Sequence, residues 1–224
     1  MAIDTVEAGW NTFAAQAVRE LIFRRRSIRK YKPQPLPEEW IRCLLRCAHQ
    51  APSPSNRQPV RYVRIESSRC RDLLQQALAD GHKALLEHHS SVGGTAHLRN
   101  RINVYRRYAD IMFSAPHLLA VGVDTQSAGL ADHLAAGGLK VQGRYPCADM
   151  QITVGLALQG LMLKAQAMGV GSCILTTPLV FIDDAAQLLG LHKIRINCFL
   201  TLGLPDETPP APQRMPLNDA IRVI

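Results

Sequence analysis

With 224 residues, 47% of them hydrophobic, the chain can bury a sizeable core as a single domain over residues 1–224. A formal net charge of +8, from 26 Lys and Arg against 18 Asp and Glu, admits an anionic partner but selects none, since surface arginines are often only solvated. No apolar run reaches the length of a membrane span, no secretory leader pattern opens the chain, and six scattered cysteines make no disulfide framework, so a cytoplasmic protein is expected.

An apolar stripe through Trp10, Phe13, Val18, Leu21 and Ile22 predicts a helix over residues 5–24. Arg24-Arg25-Arg26-Ser27-Ile28-Arg29-Lys30-Tyr31 follows, a dense cationic, hydroxyl-bearing loop that suits a phosphate, or else a solvated turn. Pro33 and Pro35 close it. Leu36-Pro37-Glu38-Glu39 opens a second helix, expected to reach Gln50, with proline and acids in the first turn as the macrodipole prefers. Cys43, Cys47 and His49 lie close together in it, but zinc needs about four ligands and no second pair follows, so buried thiols are expected.

Ala51-Pro52-Ser53-Pro54-Ser55-Asn56-Arg57-Gln58-Pro59 is a rigid turn rich in neutral hydrogen-bonding groups. Residues 60–65 alternate as a half-buried strand, and a helix carrying Leu73, Leu74, Ala77 and Leu78 comes next. Residues 90–95 read as a Gly-rich loop, and a basic amphipathic helix then leads into an apolar strand at 117–123. Another loop is expected from Gly137 to Pro146. Residues 148–168 form the most hydrophobic element, a helix apolar nearly all round and therefore expected to be buried, as a central core or interface helix. Residues 169–178 read as turn plus strand, with a helix to about Leu189, a last strand at 197–202 and a Pro-rich tail.

Helices and strands do not alternate regularly in this order, which predicts an α+β fold rather than a doubly wound sheet. Gly169-Val170-Gly171 lacks the third glycine and the acidic partner of a dinucleotide fingerprint. P-loop and Gly-x-Ser-x-Gly patterns are missing as well. The cations at residues 24–32 and 99–107 carry no interleaved aromatic platform or known nucleic-acid module.

The basic loop and the Pro/Ser/Asn turn resemble the R-x-S-x-R/K and P-S-x-x-N-x-Q-P motifs of the FMN-dependent nitroreductase family. The likeness continues through Ala165-Gln166-Ala167-Met168-Gly169-Val170-Gly171-Ser172-Cys173, Leu188-Leu189-Gly190-Leu191, Leu202-Gly203-Leu204-Pro205, Pro209-Pro210 and Arg214. Each motif is weak alone, whereas their ordered set spans nearly the whole chain. The resemblance implies a nitroreductase-like fold, with a central mostly antiparallel sheet flanked by helices, in an intertwined homodimer with exchange of the C-terminal tail.

It also implies FMN as cofactor, NADH or NADPH as reductant, and a flat electron-poor small-molecule acceptor such as a nitroaromatic or quinone. Arg25, Ser27 and Arg214 match family positions at the phosphate, Arg26 contributes backbone and stem contacts, and Arg29 matches a cation near the N1/C2=O edge of the ring. Pro52, Ser53, Pro54 and Asn56 match a loop that meets the flavin bound mainly to the other subunit. Ile174, Leu175, Thr176 and Thr177 match the strand end over the ring, although the family often has an acid or glycines where the two threonines stand, which leaves the substrate class open. No side chain is expected to act as a dedicated acid or base, because the flavin carries the hydride chemistry. Residues 86–107 and 126–145 are the loops expected to shape the acceptor pocket. Alternatives are the related reductive dehalogenase or dimethylbenzimidazole-synthase chemistry and, in another class, a non-enzymatic basic protein that binds nucleic acid.

Overall fold

A computed structural model describes residues 13–139 and 148–224. In chain order the elements are α1 (Phe13–Arg24), α2 (Glu38–His49), β1 (Val60–Arg64), α3 (Ser68–Ser91), α4 (Ala96–Ser114), β2 (His117–Asp124) and α5 (Leu130–Ala136). There follow α6 (Ala148–Ala167), β3 (Gly171–Leu175), α7 (Pro178–Phe181), α8 (Ala185–Leu188), β4 (Ile194–Gly203) and α9 (Leu217–Ala220). The strands make one antiparallel sheet in the order β1-β2-β4-β3, so the fold is α+β.

Strand alternation divides the core into two layers, because successive side chains leave a pleated strand on opposite faces. Leu119, Val121, Leu200 and Leu202 point to one face and pack with Ile41 and Leu44 of α2 and Leu158 and Leu161 of α6. Leu118, Ala120, Cys173 and Phe199 point to the other face and pack with Leu74 and Leu78 of α3 and Met112 of α4.

Several boundaries differ from the sequence reading, each for a packing reason. The first helix is described only from Phe13, so Trp10 lies outside the described residues. α3 runs on to Ser91, and with α4 it turns residues 86–107, expected as a loop, into a helical hairpin whose connection is only residues 92–95. Buried His89 closes that connection: its Nε2 lies 3.0 Å from the Thr95 carbonyl oxygen, and its ring fills the place a side chain on Gly94 would take. Of the second expected loop, residues 140–145 lie outside the described residues, and α5 occupies part of the rest. The single helix expected after β3 is two short ones, α7 and α8.

Expected as a core or interface helix, α6 is covered on one side only within a single chain. Val154, Ala157, Leu158, Leu161 and Ala165 face the core, but Ile152 is 59% and Leu156 45% exposed. A helix laid on one sheet face can hide only the side turned to the sheet and to α2, whatever its composition. On α1, Val18, Ile22 and Phe23 are exposed too. Cys43, Cys47 and Cys70 are half-buried rather than buried, while Cys173 and Cys198 are buried. No group of three metal-ligating side chains occurs among the described residues.

His117, at the start of β2, accepts a hydrogen bond through Nε2 from the Leu36 backbone N–H at 2.8 Å, tying the approach to α2 to the sheet. Burial, with Arg64 and Arg71 adding positive charge against a smaller pull from Glu66 and Glu38, holds its imidazole below the ordinary value of 6.5. The unfolded chain therefore binds this proton first, so the contribution is intact above pH 6.5 and is lost as the pH falls through the window below it. Urea unfolding at pH 7.5 and 5.5 should show the loss. His117→Gln, whose amide oxygen accepts the same bond without titrating, should show less of it, and an equal loss in the variant would place the titration elsewhere.

Candidate active site

The basic loop is strapped across one end of the sheet. Arg25 N–H closes the last turn of α1 on the Leu21 carbonyl at 3.0 Å, and Ser27 pairs in parallel with Ser172 of β3. Ile28 N–H donates to the Ser172 carbonyl at 3.0 Å. A side chain on Gly171 would lie only 2.9 Å from Ile28 Cβ, so glycine is what lets the two backbones come this close. Further on, Lys32 N–H donates to the Leu204 carbonyl at 2.9 Å and Asp206 N–H to the Lys30 carbonyl at 3.0 Å.

Two residues missed by sequence reasoning hold this strap. Glu207 Oε1 accepts from Arg29 N–H at 2.5 Å and from Lys30 N–H at 3.2 Å. Tyr31 donates its hydroxyl to the Ile28 carbonyl at 2.5 Å and lies 2.8 Å from Thr201 Oγ1. Burial pushes the Tyr31 hydroxyl far above its ordinary pKa, so it stays a donor. The only sequence signal for Glu207 was an acid just beyond Leu204-Pro205.

Arg25, Ser27, Arg29 and Glu207 all act on Cys173: burial pushes its thiol up, Arg29 pulls it down, Glu207 pushes it up, and Ser27 and Arg25 pull it down. Arg26 instead folds back, with Nη1 donating to the Phe23 and Arg25 carbonyls at 2.6 and 2.8 Å. Arg25 and Arg29 form no ion pair with any described carboxylate; Arg29 Nη1 donates to the Ser27 carbonyl at 3.4 Å, and Glu207 brings a negative charge to the same corner without pairing with either guanidinium. Two guanidinium groups are thus left for an anion at this sheet end.

β3 is an edge strand, and among the described residues no strand pairs with its outer side beyond Ser172. The Ser172 carbonyl turns outward to Ile28, so the two-residue strand period turns the backbone polar groups of Ile174 outward as well. Past Leu175, the N–H groups of Thr176 and Thr177 meet no described backbone acceptor, while their carbonyls accept from Leu179 and Val180 at 3.0 Å. Unpaired cations therefore adjoin a row of open backbone groups along one strand edge. That donor set fits a flat heterocycle with a phosphate tail, which satisfies edge N–H groups and charge together.

The Pro52–Pro59 turn lies elsewhere. Ser55, Asn56 and Gln58 have φ of 52°, 51° and 48°, left-handed values that cost non-glycine residues about 1–3 kcal/mol each and cluster at functional sites. Inside the turn, Ser53 Oγ accepts from Gln58 N–H at 2.9 Å, and Asn56 Oδ1 accepts from Gln58 Nε2 at 3.2 Å. The turn feeds β1 at Val60, which pairs with Val123, itself opposite Arg195 of β4; the basic loop sits where Ser172 meets Leu202. Seven residues along β4 and the width of the sheet separate the two, on the order of 30 Å. Within one chain, then, Pro52, Ser53, Pro54 and Asn56 do not join Arg25, Ser27 and Arg29 of the basic loop, whereas β3 runs from that loop back toward the level of the turn, with Leu175 opposite Phe199. Arg214 does not join them either: it lies in a tail where residues 211–224 are all exposed, and it forms no ion pair among the described residues.

On α4 the guanidinium of Arg101 lies 6.0 Å from the Tyr105 ring, and Tyr105 meets Tyr108 at a 69° interplanar angle. Two tyrosines thus accompany the second cation cluster. Their edge-on contact turns the two rings against each other rather than presenting parallel stacking faces.

The described residues thus form an α+β sheet with arginines beside its β3 edge strand and a strained turn at the far corner. The model of the nitroreductase family matches residues 22–204, and the chain belongs to that family. Nitroreductase NfnB of Mycolicibacterium smegmatis is 28% identical over 231 aligned positions, covering 93% of this chain and 91% of that protein. Among solved structures, a BluB-like flavoprotein from Clostridium difficile superposes with a TM-score of 0.76 at 22% identity, covering 92% of this chain and 98% of that one. A nitroreductase in complex with FMN from Desulfovibrio desulfuricans gives 0.65 at 22% identity, with coverage of 91% and 94%. Such distant structural likenesses show the fold.

Proposed function

We propose that the protein is a cytoplasmic FMN-dependent oxidoreductase that passes hydride from NADH or NADPH to a flat electron-poor acceptor, a nitroaromatic or quinone. The observation that carries this reading is the pair of unpaired guanidiniums, Arg25 and Arg29, beside the open backbone edge of β3. Arg25 and Ser27 would hold the phosphate with Arg214, and Arg26 would shape the loop through its backbone. Arg29 would set a positive charge against the ring, favouring the electron-rich form. Outward backbone groups of Ile174, Leu175, Thr176 and Thr177 would orient the ring, and because backbone does this, the two threonines leave binding intact. FMN supplies the hydride chemistry when bound, which is why no side-chain acid or base is needed.

The reading further requires a homodimer. Ser53 and Asn56 lie on the order of 30 Å from the basic loop of their own chain, so they reach a flavin only if it is held by a second copy. The exposed apolar residues of α1 and α6, Val18, Ile22, Phe23, Ile152 and Leu156, give such a copy a surface to cover. The test is a visible spectrum and sedimentation of the purified protein, followed by anaerobic titration with each nicotinamide. A yellow dimer with one FMN per chain that bleaches with NADH or NADPH is expected. A colourless protein that takes up no added FMN, or an active flavin-loaded monomer, would remove the first or second half of the reading.

A further inference from the structure

Arg57 stands in the middle of the strained turn and reaches away from it. Its side chain is only 14% exposed. Nε donates to the Pro54 carbonyl at 3.2 Å, Nη1 to the Ser127 carbonyl at 3.2 Å, and Nη2 to the carboxylate of Asp149, in the first turn of α6. Gly129 leaves the room this needs, since a Cβ there would lie 2.6 Å from Arg57 Nη1. Asp149 is fixed in turn, because its other oxygen accepts from Met150 N–H at 2.9 Å. One guanidinium therefore joins the turn, the segment after β2 and the start of α6. Among the described residues, neither Ser53 nor Asn56 makes a side-chain hydrogen bond outside the turn.

We propose that Arg57 is a positioning residue: it clamps the Ser55–Gln58 turn in its left-handed shape against Ser127 and Asp149, and so fixes where Asn56 is offered to the flavin held by the other chain. The proposal rests on the flavin reading above. Three residues of one turn, Ser55, Asn56 and Gln58, in a costly conformation need an outside restraint. Arg61 of β1 holds the exit of the turn through the Gln58 carbonyl at 2.9 Å, and the Arg57 clamp is the charged restraint that reaches from inside the turn to other elements. Left alone, the turn relaxes toward negative φ, and the Asn56 amide swings with it.

The test compares Arg57→Met, Arg57→Lys and Asp149→Asn, each alone and with Asn56→Gly, which removes the side chain without strain at φ 51°. FMN affinity is read by titrating the apoprotein, and amide hydrogen exchange over residues 53–58 is read without flavin. Arg57→Met should weaken FMN about tenfold alone but less than about threefold in the Asn56→Gly background, with Arg57→Lys between it and wild type. Exchange over the turn should speed up in Arg57→Met and Asp149→Asn. Equal losses of affinity in both backgrounds, or unchanged exchange, overturn the proposal. If Arg57→Met does not fold, Asp149→Asn carries both comparisons. A wild type that takes up no FMN defeats the flavin reading, and the exchange measurement then still decides whether the clamp holds the turn.

Discussion

An Arg25→Ala, Arg214→Ala double variant should bind FMN about 10² to 10⁴ times more weakly than wild type. Each arginine would give the phosphate a charge-assisted bond worth about 1.5–3 kcal/mol, which is roughly a ten- to hundredfold change apiece at about 1.4 kcal/mol per decade. Arg25 sits beside β3 while Arg214 lies in the exposed tail, so a second consequence follows from their separation. If the tail serves the other copy, mixing Arg25→Ala chains with Arg214→Ala chains gives heterodimers in which one site has lost both arginines and the other has both. Recovery of tight FMN binding at up to half the sites is the expected result. No recovery would assign Arg214 to its own chain's site, and wild-type affinity in the double variant would take both arginines away from the phosphate.

Phe199→Ala should be among the most destabilising single changes in the core. Phe199 is fully buried on β4, opposite Ala120 of β2 and Leu175 of β3, and packs in the layer shared with α3 and α4. Removing a buried phenyl ring costs about 3–5 kcal/mol, because the lost transfer energy is joined by that of the cavity left behind. In a domain of this size that lowers Tm by roughly 6 to 20 °C. Phe199→Leu keeps most of the volume and should cost about 1.5 kcal/mol or less. Calorimetry distinguishes the two, and equal small shifts would mean that the layer closes over the gap.

The basic loop and the rigid turn were legible because their residue types are tied to local chemistry: clustered guanidiniums repel unless an anion joins them, and prolines fix a turn whatever surrounds it. The α+β order followed from period and punctuation in the same local way. Strand and helix limits were set by neighbours, as α3 shows by running to Ser91, where His89 and Gly94 close the hairpin, although the local composition reads as a loop. For α6 the sequence reports only how apolar each side is. Which side is covered depends on where α2 and the sheet lie, and Ile152 and Leu156 ended on the open one.

The sequence by itself determined the residue types of the site: the cations, the hydroxyl of Ser27, the glycine at 171 that a close backbone approach demands, and the strained turn's Ser, Asn and Gln. Only the tertiary structure decided how they are arranged. It set Arg25, Ser27 and Arg29 against the open edge of β3, put Ser53 and Asn56 at the opposite corner of the same sheet, and brought Arg57 to Ser127 and Asp149 and Glu207 to the Arg29 backbone. Those meetings join residues from about 70 to nearly 180 positions apart. Local propensity carries no information over such separations, because strand order and register, fixed by burial of the two core layers, decide which distant side chains arrive together.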